Sequence, residues 1–353
     1  MKNKFTVKNT LGMFDAYKGA AMFTMMLSHT YGFFDSLAAK YPDKIFLMIM
    51  AFFTEAAMPA LLIVSGYGFR KTTFKKCLKK QYKTLVIPYL VCICILPVVH
   101  LIYYYLAYGG AKYALKTSAL IFLGGFFGVT SGPCWFLVTL MIGSVIFNEL
   151  LQRFEGKKLL IATAVVSLAG WALSFIPIQM LPFTLGQALI APFYLYLGYI
   201  AKKKKLFTSE SNTKLMLILT VASVVLFSIY KYNDYDFNMG FSQYPFGPVS
   251  IVGMGMLGLV DIYLFLLLNR FTGPILTGLR DVGKNSLYVL IVHAIELVAI
   301  GNYAQYDFVN KWQGPVWERN AILIVIRLII VLGCTYGYVW AKRYYMTHFS
   351  KAQ

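Results

Sequence analysis

Acidic residues are scarce in this sequence. It holds 14 Asp and Glu against 33 Lys and Arg in 353 residues, and the four charged types together make up only 13%. Water-soluble domains average roughly 25% charged and 45–50% apolar residues, whereas here 59% are apolar and the mean hydropathy is +0.64. So large an apolar surplus needs a solvent other than water, which excludes a cytosolic enzyme and a disordered tail. Cysteine is sparse too. Five residues form no CxxC pair and no Cys/His spacing that would hold zinc, so neither a secreted disulfide scaffold nor a metal site is expected. Cys92, Cys94, Cys134 and Cys334 lie inside apolar runs and read as inert core residues. The formal charge of +19 would suggest nucleic acid if the basic residues lay between soluble elements, so their placement decides the matter.

Apolar runs dominate what is present. A helix needs about 20 mainly apolar residues to cross a bilayer, and ten stretches qualify: 12–34, 45–69, 84–107, 133–152, 158–177, 183–201, 214–231, 249–270, 284–302 and 320–341. The expected fold is an all-α polytopic membrane protein, one domain over 1–353 with no separate soluble unit. An eleventh run, Ala114 to Val129, is short and ends in a Gly-rich turn, so a re-entrant or interfacial helix is expected within the 108–132 outer loop. The first run lacks a small-residue cleavage site and reads as a signal anchor. With the N-terminus inside, 25 of the 33 basic residues fall on the inner side, among them Lys2, Lys4, Lys8, seven between Arg70 and Lys83, Lys202 to Lys205, Arg270 and Lys351. The outer side receives seven, including Lys40, Lys44 and Lys231. This asymmetry follows the positive-inside rule and predicts both termini in the cytoplasm. The charge is therefore an insertion signal facing the lipid bilayer, with no nucleic-acid partner. The outer loops 108–132, 232–248 and 303–319 are rich in Tyr, Phe and Trp, which suit an interface or a cavity mouth.

Ionisable side chains within spans are expensive, and each is a functional candidate. The set is His29, Glu55, His100, Asp261, His293, Glu296 and Arg327. His100, beside Tyr103 to Tyr105, is expected to snorkel to the interface, and Asp261 to act as a polar clasp between helices. His29 shares a stripe of the first span with Asp15, Lys18, Met22 and Met25. At 100° and 1.5 Å per residue, Lys18 and His29 fall about 20° apart around the helix and about 16 Å apart along it. One face thus links an inner cation to an outer imidazole, although a histidine satisfied by a carbonyl between packed helices fits the spacing equally. His293 and Glu296 are three residues apart on one face, with Ser286 two turns below. Glu296 is placed either to raise the basicity of His293 or to pair with Arg327, and the sequence leaves both open. Gly253 to Gly258 spells GxGxxG but follows no strand, so helix packing explains it. The Trp residues lie mostly near span ends, as anchors do.

Several segments together resemble the acyltransferase-3 family of membrane enzymes. Asp15-Ala16-Tyr17-Lys18-Gly19 followed by His29 resembles its D-x-x-[RK]-G and downstream histidine. Met58-Pro59-Ala60-Leu61-Leu62-Ile63-Val64-Ser65-Gly66-Tyr67 is similar to M-P-L-F-F-x-x-S-G-Y, and Lys80-Gln81-Tyr82-Lys83 running to Pro88 looks like the R-x-x-R and proline that open the third span. Trp135-Phe136-Leu137 matches the start of the fourth span, Phe193 to Gly198-Tyr199 the end of the sixth, and Gly283-Lys284-Asn285-Ser286-Leu287 with His293 the G-x-N-S-L…H of the ninth. These matches run in order from residue 15 to 293.

The resemblance implies a ten-span enzyme moving an acyl group, usually acetyl, from cytoplasmic acyl-CoA to a hydroxyl of a cell-envelope saccharide or other acceptor. It implies His29 as general base or acyl-accepting residue, with Asp15 as orienter or partner of Lys18. Lys18, Lys79, Lys80 and Lys83 would neutralise the CoA phosphates, and Glu55, Trp135, Ser286, His293 and Glu296 would line the acceptor site, with Ser65 and Asn285 shaping the tunnel. Acetyl-CoA serves as donor substrate and no metal is implied. The chain departs from the pattern where Lys80 and Lys83 replace arginines, losing the bidentate fork, and where Ala57 stands in place of a His often found before Met-Pro. No esterase-like domain is expected after the tenth span, and the oligomeric state, homodimer included, is left open. The competing class is a transporter or flippase for a sugar-lipid or amphipathic substrate that uses the same buried charges. It calls for inverted symmetry between halves, and the sequence shows none.

Overall fold

A computed structural model of the chain describes residues 12–30, 51–178, 180–208, 213–233, 235–269 and 271–348. Lys2, Lys4, Lys8, Lys40, Lys44, Arg270 and Lys351, both chain ends and the parts of the first two expected spans at 31–34 and 45–50 lie outside the described residues. Apolar runs of this length cannot leave backbone groups unpaired in lipid, so they coil. The described helices are α1 (Asp15–Ser28), α2 (Ala57–Tyr67), α3 (Phe74–Gln81), α4 (Ile87–Tyr108), α5 (Ala111–Phe126), α6 (Trp135–Arg153) and α7 (Gly156–Ala172). They continue as α8 (Leu185–Lys203), α9 (Thr213–Tyr232), α10 (Pro248–Leu268), α11 (Pro274–Lys284), α12 (Ser286–Glu296), α13 (Asn302–Lys311) and α14 (Val316–His348). Among the described residues there is no β-strand beyond one bridge between Asn238 and Gln243.

The protein is all-α and polytopic. Among the described residues eight helical stretches are long and apolar enough to cross a membrane, and they coincide with the last eight expected spans to within a few residues at most ends. The largest difference lies in the third, where π-helical Tyr82–Val86 joins α3 to α4 in one continuous 35-residue helix. Lys75, Lys76, Lys79, Lys80 and Lys83 stand outward along that extension while Cys77 and Gln81 face inward, so the basic stretch is an amphipathic prolongation of the span. The eleventh run is α5, which folds back along α4: the Tyr89 hydroxyl, near the start of α4, donates to the Gly125 carbonyl near the end of α5. Sixteen residues reach about 24 Å, and the chain then turns through 127–134 into α6.

Small residues set the helix contacts. A Cβ on Gly66 of α2 would collide with the Leu195 carbonyl of α8, and one on Gly198 of α8 with the Ile63 carbonyl of α2. Backbones that close are the hallmark of small-residue packing in lipid, where no hydrophobic force draws helices together. The GxGxxG segment lies within α10, with Gly258 against Ala60 and Ile63. The main core, with Met25, Met26, Leu62, Cys92, Tyr194, Leu257 and Val289, sits among α1, α2, α4, α8, α10 and α12. A second cluster around Phe69, Phe147, Leu159 and Leu195 packs among α6, α7, α8 and the turn after α2.

Three local expectations change. His100 does not snorkel: it is fully buried, stacked on Tyr104 at 4.2 Å and edge-on to Tyr303 at 5.7 Å, because the π turn after α12 brings Tyr303 over it. Asp261 makes no clasp, since its carboxylate is fully buried with no hydrogen-bond partner among the described residues. Tyr17 of α1, which feels the Asp261 charge, has a buried hydroxyl that likewise has no hydrogen-bond partner among the described residues. Cys94 and Cys334 are exposed on outward helix faces rather than in the core, while Cys77, Cys92 and Cys134 are buried.

Candidate active site

His29 closes α1. Its N–H still bonds the Met25 carbonyl at 3.2 Å, so its side chain projects from the last turn of the helix. The Ser28 hydroxyl shares the Met25 carbonyl at 2.9 Å, and the Thr30 hydroxyl bonds the Met26 carbonyl at 3.0 Å, an acceptor that the helix end leaves open. Opposite stands α12, on which His293 and Glu296 share a face at a spacing of three.

These helices place the two imidazoles in contact. His29 Nδ1 lies 2.9 Å from His293 Nε2, with the rings nearly parallel at 16°. His29 is exposed to a cavity, whereas His293 is fully buried behind it. His293 Nδ1 is 3.3 Å from Glu296 Oε2, an ion-pair approach lying off the line of a hydrogen bond. Glu296 in turn accepts from Arg327 of α14: Nε to Oε2 at 3.1 Å, Nε to Oε1 at 3.3 Å and Nη2 to Oε1 at 3.3 Å. The guanidinium then reaches back to α1, donating through Nη1 to Thr30 Oγ1 at 3.1 Å and to the Met26 carbonyl at 3.4 Å. Of the two partners the sequence left open for Glu296, Arg327 is hydrogen-bonded to it and His293 stands 3.3 Å away. Arg327 is 2% exposed, and a pair buried to that degree is costly to break: removing one partner typically destabilises by about 3–5 kcal/mol. Gly301, in the π-helical segment Leu297–Gly301, makes room for the pair, because a Cβ there would sit 2.9 Å from Arg327 Nη2.

A cavity of about 460 Å³ lies in front of His29. Its walls come from distant segments: Met25 and Ser28 of α1, Thr54, Glu55, Ala57 and Met58 around the start of α2, Gly132, Pro133 and Trp135 from the turn after α5, Phe237 to Phe241 from the loop between α9 and α10, and Leu297 and Asn302 beside the π turn. Glu55 and Trp135 therefore share the cavity with His29. Glu55 is gripped by Lys231, which also holds Asp236, and accepts from the Phe237 N–H at 3.4 Å. That anchors the 235–247 loop over the cavity. Gln187 of α8 adds a second tether through the Gly240 carbonyl at 3.2 Å and Ser242 Oγ at 3.0 Å.

The remaining expected residues lie elsewhere. Asp15 and Lys18 pair at 2.6 Å at the far end of α1. Lys79, Lys80 and Lys83 stand exposed on the α3 extension. Ser286 starts α12, half-buried and outside the cavity wall. His293 and Glu296 stand behind His29 rather than in the wall. Sequence reading missed the wall residues Asn238, Met239, Gly240 and Asn302; the one signal pointing to them was the aromatic richness of the outer loops. Among the described residues no cluster of three His, Cys, Asp or Glu is arranged to hold a metal ion.

A family model described as an acyltransferase domain, Acyl_transf_3, matches residues 12–339. The chain belongs to the acyltransferase-3 family. It is a multi-pass membrane acyltransferase, with the match covering every helix from α1 through most of α14. No curated protein and no solved structure matches it.

Proposed function

We propose that the protein is an O-acyltransferase of the cell membrane that moves an acyl group, acetyl in the simplest case, from cytoplasmic acyl-CoA to a hydroxyl of a cell-envelope saccharide or similar acceptor. The observation that carries this reading is the His29 ring, open to a 460 Å³ cavity and backed at 2.9 Å by His293. Small-molecule sites are typically concave pockets of about 300–1,000 Å³ with a few convergent polar groups. Here those groups are an imidazole, the Glu55 carboxylate and an indole. The acceptor enters beside Trp135 and the 237–241 segment, and the acyl-CoA phosphates dock on Lys18, Lys79, Lys80 and Lys83 at the inner face, with Asp15 orienting Lys18. Ser286, near the inner end of α12, lines the path of the pantetheine arm.

His29 takes the proton from the acceptor hydroxyl as its oxygen attacks the thioester carbonyl. The C–S bond then breaks, and the CoA thiolate leaves with the proton that His29 returns. General-base catalysis contributes typically about 10²–10⁴-fold. The test is acyl-CoA turnover by purified protein in a bilayer containing native envelope acceptors, compared with His29→Ala. Wild-type release of CoA with a loss of that size in the variant supports the reading. A folded His29→Ala that keeps full turnover, or a wild type that neither binds nor consumes acetyl-CoA, overturns it.

A further inference from the structure

Two imidazoles bonded to each other must divide one donor and one acceptor between them, and which way they do so decides what His29 presents to the cavity. The direction is set from behind. Glu296, the anionic half of an ion pair with Arg327, is acceptor only, and its Oε2 sits 3.3 Å from His293 Nδ1. Even off the hydrogen-bond line, an anionic oxygen 3.3 Å away repels a bare Nδ1 lone pair and attracts an N–H there, so the proton of neutral His293 belongs on Nδ1. His293 Nε2 is then a lone pair. At 2.9 Å from His29 Nδ1 it can only accept, so His29 carries its proton on Nδ1. His29 Nε2 is left bare, and it has no other hydrogen-bond partner among the described residues.

We infer that Arg327 is a positioning residue: through Glu296 and His293 it fixes the tautomer of His29 so that Nε2 is the nitrogen available to take a proton. Its second grip, on Thr30 Oγ1 and the Met26 carbonyl, holds the α1 turn from which His29 projects. A single guanidinium therefore fixes both the orientation and the protonation pattern of a ring it does not touch. The role of that bare nitrogen as base rests on the function proposed above, whereas the tautomer itself does not.

The test uses the full chain, labelled with ¹⁵N-histidine, in lipid bilayers. Only four histidines are present, and loss of one signal set in His29→Asn assigns His29. Nitrogen shifts separate protonated from bare ring positions. In the wild type, His29 is expected with a protonated Nδ1 and a bare Nε2. Glu296→Gln, which preserves shape, is expected to reverse both rings: the amide oxygen stays with Arg327, and the amide N–H then faces His293 Nδ1. The same variant should lose CoA release from acetyl-CoA by about a thousandfold or more with little change in KM, the scale seen when a triad base is held in the wrong tautomer. A purely structural role for the pair would leave the tautomers unmoved in a folded Glu296→Gln. Arg327→Lys keeps the charge without the fork, so part of the wild-type nitrogen pattern should remain. A wild-type His29 protonated at Nε2, or an unreversed Glu296→Gln, overturns the inference. Correct tautomers in a protein inert toward acetyl-CoA would instead sink the proposed function alone.

Discussion

Gly19 of α1 and Gly283 of α11 meet backbone to backbone: a Cβ on Gly283 would lie 2.9 Å from the Gly19 nitrogen and run into the Asp15 carbonyl, and one on Gly19 would run into the Leu279 carbonyl. Both glycines belong to segments that the sequence marks out, Asp15 to Gly19 and Gly283 to Leu287. Their contact fixes α1, and so His29, relative to the start of α12. Gly283→Ala is expected to separate the two helices and to destabilise by about 1–3 kcal/mol, the usual range for overpacking. Thermal unfolding in detergent measures it. A change within 0.5 kcal/mol would mean that the helices slide freely.

His29→Ala and His29→Asn should both fold with near-native melting temperatures. The ring is exposed to the cavity, and what is lost is its bond to His293. Both should lose transfer by about 10²–10⁴-fold. Activity and melting temperature read from the same preparations separate a chemical defect from a structural one.

Lys231→Met strands Glu55, whose side chain is only 12% exposed, against one weak backbone donor. A loss of about 3 kcal/mol is expected, since removing one partner of a buried pair leaves the other charge uncompensated. Adding Glu55→Gln should recover most of it, and a double-mutant cycle reports the coupling. Increased protease cleavage within 235–247 in the single variant would show that the loop has lifted from the cavity.

Lys79→Ala, Lys80→Ala and Lys83→Ala combined should leave stability unchanged, because all three side chains are exposed and unpaired among the described residues. If they hold CoA phosphates at about 0.5 kcal/mol each, near the middle of the range for exposed pairs, affinity for acyl-CoA falls about tenfold. The residual salt dependence should shrink as well. Unaltered binding would move the donor site elsewhere.

Asp261→Asn should be tolerated, with stability equal to or above the wild type, because the buried carboxylate has no hydrogen-bond partner among the described residues and replacing it removes a group that is expensive to bury as a charge. A loss above 2 kcal/mol would mean that the carboxylate serves an interaction these contacts do not account for.

Much of this protein is written in its residue order. Twenty-residue apolar runs dictate helices because lipid offers the backbone no other partner. Ionisable residues within spans mark the site, because only function or a partner justifies their burial. His29, Glu55, His293, Glu296 and Arg327 were all visible in that way, and the i,i+3 spacing of His293 and Glu296 assigned them one face. The same logic misplaced His100 and Asp261, since a polar residue in a span advertises itself without revealing whether a partner waits for it.

Partnership was decided only in three dimensions. His29 and His293 are 264 positions apart, and helix periodicity says which face a side chain occupies but not which helix that face meets. Apolar attraction is non-directional, so pairing followed from where glycines such as Gly19, Gly66, Gly198 and Gly283 let backbones approach. The cavity wall, assembled from the 127–135 turn, the 237–241 segment and the π turn after Glu296, left only the aromatic richness of the outer loops as its mark in the sequence. The sequence settled that the chain enters a membrane and which residues would be costly there. Tertiary packing settled that those residues join into one line from Arg327 through Glu296 and His293 to His29, because only in the packed bundle is each within 3.3 Å of the next.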